Sequence, residues 1–151
     1  MTHAFIDHLM KDHAKQRRLS AQLRKAHSID ERKDLRQAFF DALYPHLEGE
    51  DASIFSYLEL SGSPAHEGAL KAQEEHHVAR VLLDELMNLD PGSDTFLAKA
   101  AVLDELNRHH LDEEEQTHFA RLEDLASQEK LDALFETYEQ TEKDIKKQSQ
   151  H

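Results

Sequence analysis

The 151-residue chain contains no cysteine, which excludes disulfides, thiolate metal sites, sulfur-ligated clusters and thiol redox chemistry. Histidine and carboxylate are then its only strong metal ligands. Glycine and proline are scarce, at 4 and 3 residues, and aromatic residues make up 7%. Strand-like alternation is almost absent, so the composition disfavours a sandwich and favours long helices. Basic side chains are outnumbered, 18 against 31 acidic, giving a formal charge of −13. That balance repels a nucleic-acid backbone or an anionic membrane. No apolar run approaches the roughly 20 residues of a membrane span, and the N-terminus lacks a basic segment followed by an apolar stretch. The expectation is a cytoplasmic protein with neither nucleic acid nor membrane as partner.

What remains is helical periodicity. Phe5, Ile6, Leu9, Met10, Leu19 and Leu23 predict a first helix from about Ala4 to Ala26. A second, capped by Asp30, runs to about Leu60 through Phe39, Leu43, Ile54 and Leu58. Pro45 and Gly49 lie inside it and predict a kink or local widening beside His46 and Glu50. Ser63 as cap and Pro64 as first residue open a third helix to about Leu89, and a fourth spans about Asp94 to Leu125 with Leu103, Leu106, His110 and Glu114 along one side. An amphipathic segment from Gln128 to about Lys147 reads as an appendage, and Lys146 to His151 as a disordered polar end. The expected fold is all-α: an up-down-up-down antiparallel four-helix bundle over 1–125, with an additional short C-terminal helix and polar tail over 126–151.

The chain nearly repeats itself. His46 to Glu59 and His110 to Glu123 share H-L-x-x-E-x-x-x-x-F-x-x-L-E at an offset of 64, and Asp12-His13…Arg17 matches Glu75-His76…Arg80 at an offset of 63. Each half thus contributes one lone histidine and one His-x-x-x-Glu, whose spacing puts imidazole and carboxylate on one helix face. Residues equally far from a short loop lie at the same depth in neighbouring helices. His13, His46, Glu50, His76, His110 and Glu114 should therefore converge in one layer.

Four imidazoles and two carboxylates exceed the needs of one ion and suit two, each held by two histidines with the carboxylates shared. Iron, manganese and zinc all fit such donors; bundles with inward His and Glu commonly house di-iron sites, so two irons are expected. A lone buried histidine is more often a hydrogen-bonded core residue, and Glu113-Glu114-Glu115 alone would read as a solvated face. Repetition in register weighs against both, because burying six such groups without a metal would cost about 1–3 kcal/mol for each unsatisfied one.

These residues resemble the hemerythrin-like family, also called the HHE cation-binding domain. The resemblance runs from about Phe5 to Leu125 through Leu9 to His13, His46 to Phe55, Glu75-His76 and His110 to Phe119. It implies a non-haem, oxo- or carboxylate-bridged di-iron centre that binds dioxygen, peroxide or nitric oxide for sensing, storage or stress protection. Oxygen-carrying relatives use five histidines, one Glu and one Asp, whereas the repeat here yields four and two. His118, one turn beyond Glu114, is the best candidate for a fifth; His77 and His109 adjoin ligands but point off the stripe. His3, His8, His27 and His66 have no repeated partner and read as surface residues, and Tyr44 as a packing or redox-active neighbour of His46. A ferritin-like di-iron oxidase or peroxidase and a metal-gated protein-binding module are the alternative functions.

Overall fold

The computed structural model describes residues 2–149, and among them there is no strand. Five helical rods follow one another: α1 (Ala4–Arg24); α2 (Ile29–Glu50) continuing through a π-helical turn (Asp51–Phe55) into α3 (Ser56–Glu59); α4 (Ala65–Asn88); α5 (Phe96–Glu113) continuing through a second π-helical turn (Glu114–His118) into α6 (Phe119–Leu125); and α7 (Gln128–Ser149). α1 packs against α2 and α5, and α4 against α2, α3 and α5, so the first four rods form a closed ring of neighbours. α7 lies against α2 and the turn that follows it.

Capping shifts the expected boundaries by a residue or two. Ser28, not Asp30, caps α2, its hydroxyl accepting from Glu31 N–H at 3.1 Å. α4 begins at Ala65, and the Ser63 hydroxyl donates to the Glu67 carboxylate instead of capping the backbone. Two of the histidines read as surface residues finish helix ends: His3 accepts from Phe5 N–H at the start of α1, and His66 Nδ1 meets the Glu59 carbonyl at 2.6 Å. α7 runs on through Lys146 to Ser149, so the disorder expected there is replaced by helix; Gln150 and His151 lie outside the described residues.

The widening expected beside the ligands is present, directly after Glu50, but Pro45 and Gly49 do not produce it. Pro45 is buried within an uninterrupted α2, and the π turns follow Glu50 and Glu113. The second copy has neither proline nor glycine there, so neither residue causes it. A wide turn advances the inward stripe by one residue, which lets both Ile54 and Phe55, and in the second copy both His118 and Phe119, face the core. In the first copy the Ser53 and Ser56 hydroxyls donate to the Gly49 and Asp51 carbonyls at 2.6 Å, satisfying acceptors at the bulge.

The core is in two parts. One cluster gathers Phe5, Leu9, Phe55, Leu58, Phe119 and Leu122 with Leu131 and Tyr138 of α7. The other gathers Leu19, Leu23, Phe39, Leu43, Leu83, Phe96 and Leu103. Buried polar residues from four rods, His13, Gln16, His46, Glu50, His76, Asn107, His110 and Glu114, make up the layer of the candidate site. Leu106, expected on the inward stripe, is 44% exposed, and Asn107 is buried instead.

Candidate metal centre

α1 supplies His13, α2 supplies His46 and Glu50, α4 supplies His76, α5 supplies His110, and the second π turn supplies Glu114. All six are at most 4% exposed. They form two groups: His13, His46, Glu50 and Glu114, and Glu50, His76, His110 and Glu114, the donor atoms of each lying within 4.8 Å of one another. The carboxylates belong to both. Glu50 turns Oε2 to His46 Nε2 at 3.2 Å and Oε1 to His76 Nε2 at 3.4 Å. Glu114 turns Oε1 to His13 Nε2 at 3.1 Å and Oε2 to His110 Nε2.

An outer ring fixes the imidazoles. Nδ1–H of His13 donates to Glu115 at 2.7 Å, that of His76 to Asp51 at 2.7 Å, and that of His46 faces Asp12 at 3.1 Å; His110 Nδ1 lies 3.5 Å from Glu75. A carboxylate can only accept, so these contacts place the proton on Nδ1 and leave Nε2 facing inward. Arg17 holds Glu115 and Asp112, and Arg80 holds Asp51 and Glu48. The ring obeys the repeat: Asp12 and Glu75 serve the histidine of their own half, and Asp51 and Glu115 serve the other half.

Electrostatics in this layer are closely matched. Burial opposes charging of His46, but Glu50 and Asp12 outweigh it and raise its pKa to about 9. Burial likewise opposes charging of His110, and Glu114 carries its pKa up to about 9. Burial and the Glu114 charge resist ionisation of Glu50, yet His46 and His13 hold its pKa down at about 2. Without a cation, protons bound by the histidines balance the carboxylates. That balance is incomplete in hydrogen bonding: Nε2 of His13 and His46, both Glu50 oxygens and Glu114 Oε1 make none. Buried nitrogen and oxygen atoms gathered in two groups are a donor set for metal cations once the histidine protons leave, and binding would remove a cost of about 1–3 kcal/mol for each orphan.

A family model described as the hemerythrin HHE cation binding domain matches residues 4–122. The chain belongs to that family. No match was found among curated proteins or among solved structures. The hemerythrin match takes in all six buried donors and ends before α7.

The remaining histidines of this hemerythrin domain separate cleanly. His77 and His109 are exposed. His118 is buried but belongs to neither group of donors; its ring stands edge-on to Phe55 at 5.4 Å, and Gly68 makes room for it, since a Cβ there would lie 3.2 Å from its ring. Burial holds its pKa below the ordinary value, so it is a neutral imidazole. Tyr44 stacks on Phe40 beside the second cluster and is a packing residue.

Sequence reasoning missed the outer ring and Tyr138. The ring had a signal, an acidic residue directly before each lone histidine and directly after each glutamate. Tyr138 had none, because α7 has no repeated partner. Its hydroxyl donates to Asp12 and lies 2.7 Å from His46 Nδ1, and burial together with Asp12 pushes its pKa up, keeping it a neutral phenol.

Proposed function

We propose that the chain is a non-haem di-iron protein, one ion held by His13 and His46, the other by His76 and His110, with Glu50 and Glu114 shared between them. The observation that carries this reading is the sharing itself, since each carboxylate offers one oxygen to each histidine pair. A single-metal or purely structural polar layer has no need of that division. Bound iron would supply open coordination positions, four protein donors per ion being fewer than iron accepts, for dioxygen, peroxide or nitric oxide in sensing, storage or stress protection.

The chain's own groups would do the rest. Glu115, Asp12, Asp51 and Glu75 orient the imidazoles and raise their basicity. The two apolar clusters limit water, which strengthens every charge interaction in the layer. We read the four rods as an up-down-up-down antiparallel bundle over 1–125, with 126–151 as a C-terminal helix packed on it. Short connections and the ring of neighbouring rods support this topology. No described helix is long and apolar enough to cross a membrane.

The test is an optical spectrum of the purified protein under air and under argon. Charge-transfer absorption that changes with oxygen supports the reading; colourless protein without transition metal opposes it. A cavity of about 250 Å³ reaching His76 and His110 favours a second reading, a di-iron oxidase or peroxidase, because it is larger than a diatomic molecule needs. Peroxide turnover by the iron-loaded protein, lost in His46→Ala and His110→Ala, would decide for it.

A further inference from the structure

Outside the buried centre, Glu75, His109 and Glu113 bring one donor atom each within 4.8 Å of the others. Glu75 and His109 line the cavity whose wall includes His76 and His110, and His109 and Glu113 line the hollow beside it. Glu75 Oε1 and Glu113 Oε2 are buried without a hydrogen-bond partner. So is Nδ1 of His110, on a side chain only 6% exposed, and it lies 3.5 Å from Glu75 Oε1. Nδ1–H of His110 thus reaches toward Glu75 at a distance too long to satisfy its oxygen, which stays open to a cation.

The other half of the repeat differs. The counterparts of Glu75, His109 and Glu113 are Asp12, Pro45 and Gly49, and Tyr138 packs against Gly49 and bonds Asp12. α7 therefore covers that face, and the cavity lies on the face that α4 and α5 share.

We infer that Glu75, His109 and Glu113 form an outer site that captures a divalent transition-metal cation on its way to His76 and His110. The inference rests on the di-iron reading of the inner centre. One imidazole and two carboxylates suit Fe²⁺, Mn²⁺ or Zn²⁺. Three donors, one of them on an exposed residue, bind such an ion weakly, and Lys71 Nζ competes by holding Glu113 Oε1 at 3.2 Å. Weak binding suits transfer: the ion is held beside the cavity and then released inward. Glu75 touches both places, because the oxygen it lacks a partner for also faces His110.

The experiment is stopped-flow loading of the metal-free 151-residue chain with Co²⁺, followed by the visible absorption of bound cobalt, together with equilibrium stoichiometry. His109→Ala combined with Glu113→Gln should load about tenfold more slowly, at the low end of what a charged cleft adds to an on-rate. It should keep the tight inner equivalents and lose one weaker equivalent that the wild type shows. Lys71→Ala, which frees Glu113, should tighten that weaker equivalent. Equal loading rates with no weaker equivalent in the wild type overturn the outer site and leave the inner centre standing. Loss of the tight equivalents in the double variant also overturns it, since the trio would then be part of the centre. A wild-type chain that takes up no cobalt overturns the di-iron reading itself.

Discussion

The hydroxyl of Tyr138 lies 2.7 Å from Nδ1 of His46, joining the C-terminal helix to the candidate metal layer across 92 residues of sequence. It also donates to Asp12, the carboxylate that faces the same nitrogen. Tyr138→Phe keeps the ring in place and removes both contacts. The expected cost is about 1–2 kcal/mol of stability in urea unfolding and about a tenfold loss of metal affinity in chelator competition. Unchanged affinity would reduce the hydroxyl to a packing role.

Gly49 leaves room for the Tyr138 ring, because a Cβ there would lie 2.7 Å from two ring carbons. Gly49→Ala should therefore displace α7 and destabilise by about 1–3 kcal/mol through overpacking. Adding Tyr138→Leu should recover part of that loss, a non-additivity that a double-mutant cycle of unfolding free energies measures. Strict additivity would contradict the contact.

Much of this layer was legible in the sequence. A period of 3.6 marks the rods, and the offsets of 63 and 64 single out the six converging donors, because a duplicated hairpin must place equivalent residues at equivalent depth. The π turns were also written there: the gap of five residues from Glu50 to Phe55, and from Glu114 to Phe119, is one longer than an α-helical stripe allows. Pro45 and Gly49 point to the right place in the first copy for the wrong reason, since the second copy widens without either. Tyr138 was illegible for a different reason: α7 repeats nothing, and only tertiary packing brings it to Asp12. Leu106 and Asn107 exchanged places because the inward stripe at this level is polar, so hydrophobicity misassigns it.

The shared carboxylates separate by stoichiometry. Glu50→Ala or Glu114→Ala removes a donor from both groups and should lower metal content at both positions, whereas His46→Ala should empty chiefly one. Elemental analysis of each purified variant checks this. Equal losses in all three would argue against shared carboxylates.

Protons and cations compete for the same histidines. In the metal-free protein the raised pKa values of His46 and His110 contribute stability that is fully present below about 6.5 and lost as pH rises through about 9. The lowered pKa of Glu50 contributes stability present above about 4.5 and lost as pH falls through about 2. The metal-free chain should accordingly be most stable between these limits in urea melts. Cation binding needs neutral imidazole, so uptake should release protons at neutral pH, and apparent affinity should rise with pH up to about 9. Uptake without proton release would contradict the assignment.

Two ions held by six buried side chains fix a stoichiometry. Iron content per chain, measured on protein purified without chelators and again after anaerobic loading with Fe²⁺, tests it most directly. Saturation at two irons per chain, one for each group of donors, is the expected result. Saturation at one, or no retention of iron after desalting, would contradict it.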